Sequence, residues 1–154
     1  MKGKVIIIAI ALLAMGCKSQ VVDRVIKLTV TETSDYCGGA APPAELLETL
    51  LKEKPFTGKL YVHSTPDRTD DGQTLIINNG SLKQSGFAEG VYFVFLHPKI
   101  NREELTSDKI DEELISCLEM VSSQYTASFI ITKETKSSTI HAHKMCDPCS
   151  PPRP

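Results

Sequence analysis

At 154 residues and a formal net charge of −2, the chain suits one domain around one core. Its 17 Lys and Arg against 19 Asp and Glu are not the basic surplus that marks a nucleic-acid binder. No stretch reaches the roughly 20 apolar residues of a membrane-spanning helix, so the chain is expected to be soluble or tethered.

The chain opens on a leader. Lys2 and Lys4 form a charged start and residues 5–14 follow as an unbroken apolar run, V-I-I-I-A-I-A-L-L-A. That is the layout of a secretory signal. Leu13-Ala14-Met15-Gly16-Cys17 then resembles the bacterial lipobox, in which a peptidase cuts before a cysteine that carries a diacylglyceryl thioether. Gly16 fits the pattern. Ala14 holds the place where the family has Leu, Leu13 stands one position early, and Met15 departs from the usual Ala or Ser. The resemblance implies a signal peptide at 1–16, lipidation of Cys17 and a lipidated tether at 17–23. Each buried methylene contributes about 0.8 kcal/mol, so three acyl chains hold firmly where one binds reversibly. Loss of Lys2 and Lys4 takes the net charge from −2 to −4. Lys18, rather than the aspartate of an inner-membrane retention signal, favours the outer membrane of a bacterial cell envelope. Either leaflet remains open.

In the mature chain, residues 24–33 alternate, with Ile26, Leu28 and Val30 on one face and Lys27, Thr29 and Thr31 on the other, the period of a half-buried strand. Tyr36-Cys37-Gly38-Gly39 breaks the regularity. Pro42 and Pro43 lead into a helix over 44–54, with Leu46, Leu47, Leu50 and Leu51 on one face, and Pro55 ends it. Strands are expected at 59–64, 74–77, 81–84 and 91–96, with a hairpin signal at Asn78-Asn79-Gly80. The run V-Y-F-V-F-L at 91–96 reads as a central strand. A second helix is expected over 108–121, capped by Ser107, with Ile110, Leu114, Cys117, Leu118 and Val121 on one face. Strands at 125–133 and 137–143 follow, then a tail at 146–154 with four prolines. The pattern is mainly β, a single β-sandwich at 24–145 with about seven strands and two short helical insertions.

Tyr36-Cys37-Gly38-Gly39-Ala40, followed by Pro42-Pro43-Ala44-Glu45, resembles the Y-C-G-G-A segment of small secreted proteins and lipoproteins of the Bacteroidota. Those proteins tend to end in a Cys- and Pro-rich tail, as this one does, and to carry a cysteine before the last strands, which Cys117 matches. Asn79-Gly80-Ser81-Leu82, then Phe87-Ala88-Glu89-Gly90-Val91-Tyr92, is similar to a pattern of transthyretin-like, carboxypeptidase regulatory-like sandwiches. Gly90 and Tyr92 match; Leu82 replaces an aromatic and Glu89 a proline. The resemblance implies a β-sandwich serving as an accessory or interaction module, with no enzymatic activity.

With Cys17 assigned to lipid, Cys37, Cys117, Cys146 and Cys149 remain. An even number in an exported chain points to disulfides, with three pairings open. The alternative is zinc held by His141, His143, Cys146 and Cys149, since a strand sets His141 and His143 on one face, opposite Ile140 and Ala142, just before a C-x-x-C. Asp67-x-Thr69-x-Asp71-Gly72 has part of a calcium loop, but Asn78 stands where the bidentate Glu belongs, so a solvated turn is expected. His63 and His97 flank strands without evident partners, and no catalytic motif is present. The expected function is therefore a lipid-anchored, non-catalytic binding module without a cofactor, held to the membrane by its lipid and engaging an envelope protein or glycan. A metal-binding envelope protein is the alternative.

Overall fold

The computed structural model describes residues 25–38, 40–102 and 111–149. The expected leader, Cys17, the expected tether and Ser107 cap, and residues 150–154 of the tail lie outside the described residues. The chain is mainly β, with eight strands and two helices among the described residues: β1 (Ile26–Ser34), α1 (Ala44–Leu51), β2 (Lys54–Pro55), β3 (Gly58–His63), β4 (Gln73–Ile77), β5 (Ser81–Gln84), β6 (Gly90–Phe95), α2 (Glu112–Ser123), β7 (Ala127–Ile131) and β8 (Ser137–Lys144).

The strands form two four-stranded sheets. In the first, β1 is central. β8 pairs with it in parallel from Lys27↔Ser137 to Ser34↔Lys144, and its other edge is shared by β5 and β2. The second sheet has the order β4-β3-β6-β7 and is antiparallel throughout. One core lies between the sheets, an arrangement that fits a β-sandwich. The alternation of β1 delivers Ile26, Leu28 and Val30 into it, β3 supplies Leu60 and Val62, β6 Tyr92 and Val94, and β8 Ile140 and Ala142. Phe87 packs edge-on against both Tyr92 and Phe129, and burial of each such side chain stabilises by about 1.5–3 kcal/mol. β6 is central in its sheet, as its apolar run implies.

The Asn-Gly turn forms but does not make a simple hairpin. Asn79 and Gly80 both have positive φ, 47° and 71°, as a tight two-residue turn requires. After one bridge between Asn78 and Ser81, however, β4 and β5 diverge into different sheets. Gly80 is the cause. Its carbonyl accepts from Val30 N–H at 2.8 Å and its own N–H donates to the Phe56 carbonyl at 2.8 Å. It thus fills the gap on β1 between β5 and β2. A Cβ there would stand 2.9 Å from the Val30 oxygen, so the corner needs glycine for space as well as for φ.

Both helices differ from expectation. α1 presents its leucines to solvent: Leu46 and Leu47 are exposed, Leu51 is 57% exposed, and no residue of the helix is buried. The apolar stripe is present, but among the described residues nothing buries it. α2 begins later than expected, at an Asp111 cap whose carboxylate accepts from Glu113 N–H at 3.1 Å. Its buried residues are Ile115 and Ser122, while Leu114 is exposed. The helix is therefore rotated from the expected face, in keeping with Cys117 being drawn to the tail.

Candidate functional site

The C-terminal ends of β1 and β8 lie side by side, at Ser34 and Lys144. Beyond them both chains leave the sheet and are joined again by the Cys37–Cys146 disulfide, with 5.3 Å between the Cα atoms. Three residues on, Cys149 bonds Cys117 in the middle of α2, with a Cα separation of 5.7 Å. The tail is thus pinned to the first sheet on one side and to α2 on the other. Neither bond closes the short Cys146-Cys149 loop. One spans 109 residues and the other 32, and loops of that order stabilise a chain by about 4–5 and about 3–4 kcal/mol in the chain-entropy account.

This stapling walls a cleft of about 710 Å³. Phe56, Leu96, Val121, Tyr125, Met145 and Pro148 supply its apolar lining, and Lys59, His97, His143, Lys144 and Asp147 its charged or titratable groups. A concave, mainly apolar site of this volume with a few polar groups is the form in which proteins hold small ligands. Glu32 pairs with one of the cleft's lining residues, Lys144. Glu32 continues the inward register of Ile26, Leu28 and Val30, and a carboxylate there needs cationic partners. Lys54 and Lys144 provide them, and Lys144 also sits 5.2 Å from the Phe56 ring centroid.

The other wall is set by Arg68. It is 3% exposed, with φ of 56°, and its guanidinium lies 4.4 Å from the Phe95 ring centroid. One nitrogen donates to the Ser122 carbonyl at 2.8 Å and to the His97 carbonyl at 3.2 Å. A cation on the last carbonyls of a helix is favoured by the helix dipole. Arg68 therefore fixes the end of α2, and with it Val121 and Tyr125, to the end of β6. Burial pushes its pKa down from the ordinary arginine value, opposed by Tyr61 and Asp70.

The loop that carries Arg68 is folded on Asp70. Its carboxylate accepts from the Ser64 N–H at 2.8 Å, the Ser64 hydroxyl at 3.0 Å and the Thr65 hydroxyl at 3.2 Å, and lies 2.9 Å from His63 Nδ1. Burial pushes the Asp70 pKa up, but the Ser64 amide, the His63 ring and the Ser64 hydroxyl outweigh it and hold it at about 2. A carboxylate only accepts, so His63 Nδ1 carries the proton. His63 is thus not the partnerless strand-end residue expected from sequence; it is 6% exposed and packs on Phe95. Ser, His and Asp meet here, but not as a nucleophilic relay: Ser64 donates to Asp70 rather than to the imidazole. In the expected solvated turn, Asp67 accepts from the Thr69 hydroxyl at 3.1 Å.

His141 and His143 do share the outer face of the first sheet, opposite Ile140 and Ala142. Their Nδ1 atoms lie 2.8 and 2.9 Å from the Thr31 and Thr33 hydroxyls, and His143 Nε2 lies 3.0 Å from Asp35. Cys146 and Cys149 are spent in two different disulfides, so in the oxidised chain they are not the thiolates that zinc coordination requires. Among the described residues, no group of three or more His, Cys, Asp or Glu is placed to hold a metal ion. Cys17 lies outside the described residues. Sequence reasoning missed Glu32, Arg68 and Asp70. Glu32 was detectable as a charge in an apolar register, and Asp70 as a carboxylate seven residues after His63 across a turn-rich loop. Comparison with protein-family models, curated proteins and solved structures finds no match for this chain.

Proposed function

We propose that the chain is a lipid-anchored envelope protein whose sandwich is a non-catalytic binding module, with the disulfide-walled cleft as its contact site. The cleft itself carries the reading: covalent bonds hold its walls and its lining is mainly apolar. The Cys17 signal supplies the anchor, and Lys18 favours the outer membrane. We also read the sandwich as transthyretin-like. In support, Gly90 opens β6 and the Tyr92 hydroxyl donates to the Ala88 carbonyl at 3.0 Å, fixing the entry of that strand.

The test is photo-crosslinking in intact cells, with the reactive side chain at position 125 in the cleft or at position 130 on the open face of β7. The expected result is a discrete adduct from 125, none from 130, and loss of the adduct in Cys17→Ala. No adduct from 125, equal yields from both, or turnover of an envelope substrate by the purified chain would contradict the proposal.

A further inference from the structure

We infer that the cleft takes a single-chain anionic amphiphile, a long-chain fatty acid with its carboxylate at Lys59 and His97. This rests on the cleft being the site of the binding module and names its ligand class. Leu96 and Val121, both half-buried, line the cleft beside the core residue Phe56, and Tyr125 and Met145 remain 53% and 57% exposed. Such surface is stabilised by an apolar cover. The volume of about 710 Å³ suits one small amphiphile rather than a two-chain lipid.

Charge decides the other end of the ligand. Of the basic groups in the cleft, Lys144 is held by Glu32 and His143 by Thr33 and Asp35. Lys59 and His97 have no side-chain partner among the described residues. Lys59 on β3 and His97, two residues past the end of β6, line the same cleft. The carboxylate of Asp147 is engaged in the tail, accepting from Cys149 N–H at 2.9 Å. The cleft of a net acidic protein thus joins an apolar bed to two available basic groups. An aliphatic carboxylate complements both; an ester would leave the basic groups unused, and an aliphatic amine would be repelled.

The test uses the full chain carrying Cys17→Ala, exported so that its disulfides form, and palmitate competing with a dansylated fatty acid below the micellar concentration. We expect one palmitate per chain. Lys59→Ala and His97→Ala together should weaken it at least tenfold, and Lys133→Ala, in the β7–β8 turn, should leave it unchanged. Methyl palmitate should bind more weakly and be indifferent to all three substitutions. Palmitate binding no tighter than its methyl ester, binding insensitive to Lys59 and His97, or stronger displacement by a two-chain phospholipid would overturn the assignment. Absence of palmitate binding alongside a persistent cellular adduct from position 125 would overturn it while leaving the binding module intact.

Discussion

Between the sheets, Leu60, Phe87, Val94 and Ile140 are sealed from water by one another, and no covalent bond is needed to keep them there. At the distal cleft, Val121 is half-buried, Tyr125 and Met145 are half bare, and two disulfides and Arg68 tie the walls together. The contrast shows how a small domain keeps a concave apolar surface open. Left to burial alone, such a surface closes on itself, since hydrophobic attraction is non-directional. Bonds with fixed geometry at the rim oppose that collapse. The core supplies stability and the rim supplies shape.

The largest effect expected is at the rim. Replacing Cys37 and Cys146 together by Ser should cost about 4 kcal/mol in urea unfolding, from the loop it releases. It should also raise amide exchange across residues 145–148 well above that of β6. If exchange there is unchanged, the tail is held by packing and the contrast fails. Phe87→Ala should cost about 3–4 kcal/mol by leaving a cavity beneath Tyr92 and Phe129. Probe binding at the cleft should survive it, because core and rim are separate structures; a loss of binding in folded protein would merge them. Arg68→Met keeps the stacking on Phe95 but removes the hydrogen bonds to Ser122 and His97, and should cost about 2 kcal/mol. Unlike Phe87→Ala, it should weaken probe binding, since the end of α2 is freed.

The smallest effect is in acid. Asp70 has a folded pKa of about 2 against an ordinary 3.8, so its ionised form favours the folded state. That contribution is fully present above about pH 4 and is lost as the pH falls toward 2. The carboxylate is partly open to solvent, which reduces the effect to about 1 kcal/mol. Asp70→Asn should flatten the stability profile between pH 4 and 2 relative to the parent chain. An unchanged profile would mean that the loop does not depend on the Asp70 charge.

Most of the core was legible because strand burial follows a period of two. The alternation of β1, the apolar run of β6 and the Ile140/Ala142 pair each report a face directly. The rim was legible only as ingredients. Four cysteines imply two bonds, but the choice among three pairings depends on which strand ends meet, and the parallel pairing of β1 with β8 joins residues over a hundred positions apart. Arg68 left no mark, since an arginine in a turn-rich loop reads as solvated. The α1 leucines misled in the opposite direction: an apolar stripe states a preference for cover, not the presence of a neighbour.

The disulfide map of the protein, purified without reductant, tests the rim most directly. Digestion without reductant, with cleavage of the acid-labile Asp147–Pro148 bond to separate Cys146 from Cys149, resolves all three pairings by mass. The predicted products join Cys37 to Cys146 and Cys117 to Cys149. A Cys146–Cys149 bridge, a Cys37–Cys149 bond, or free thiols at these positions would mean that the tail does not wall the cleft.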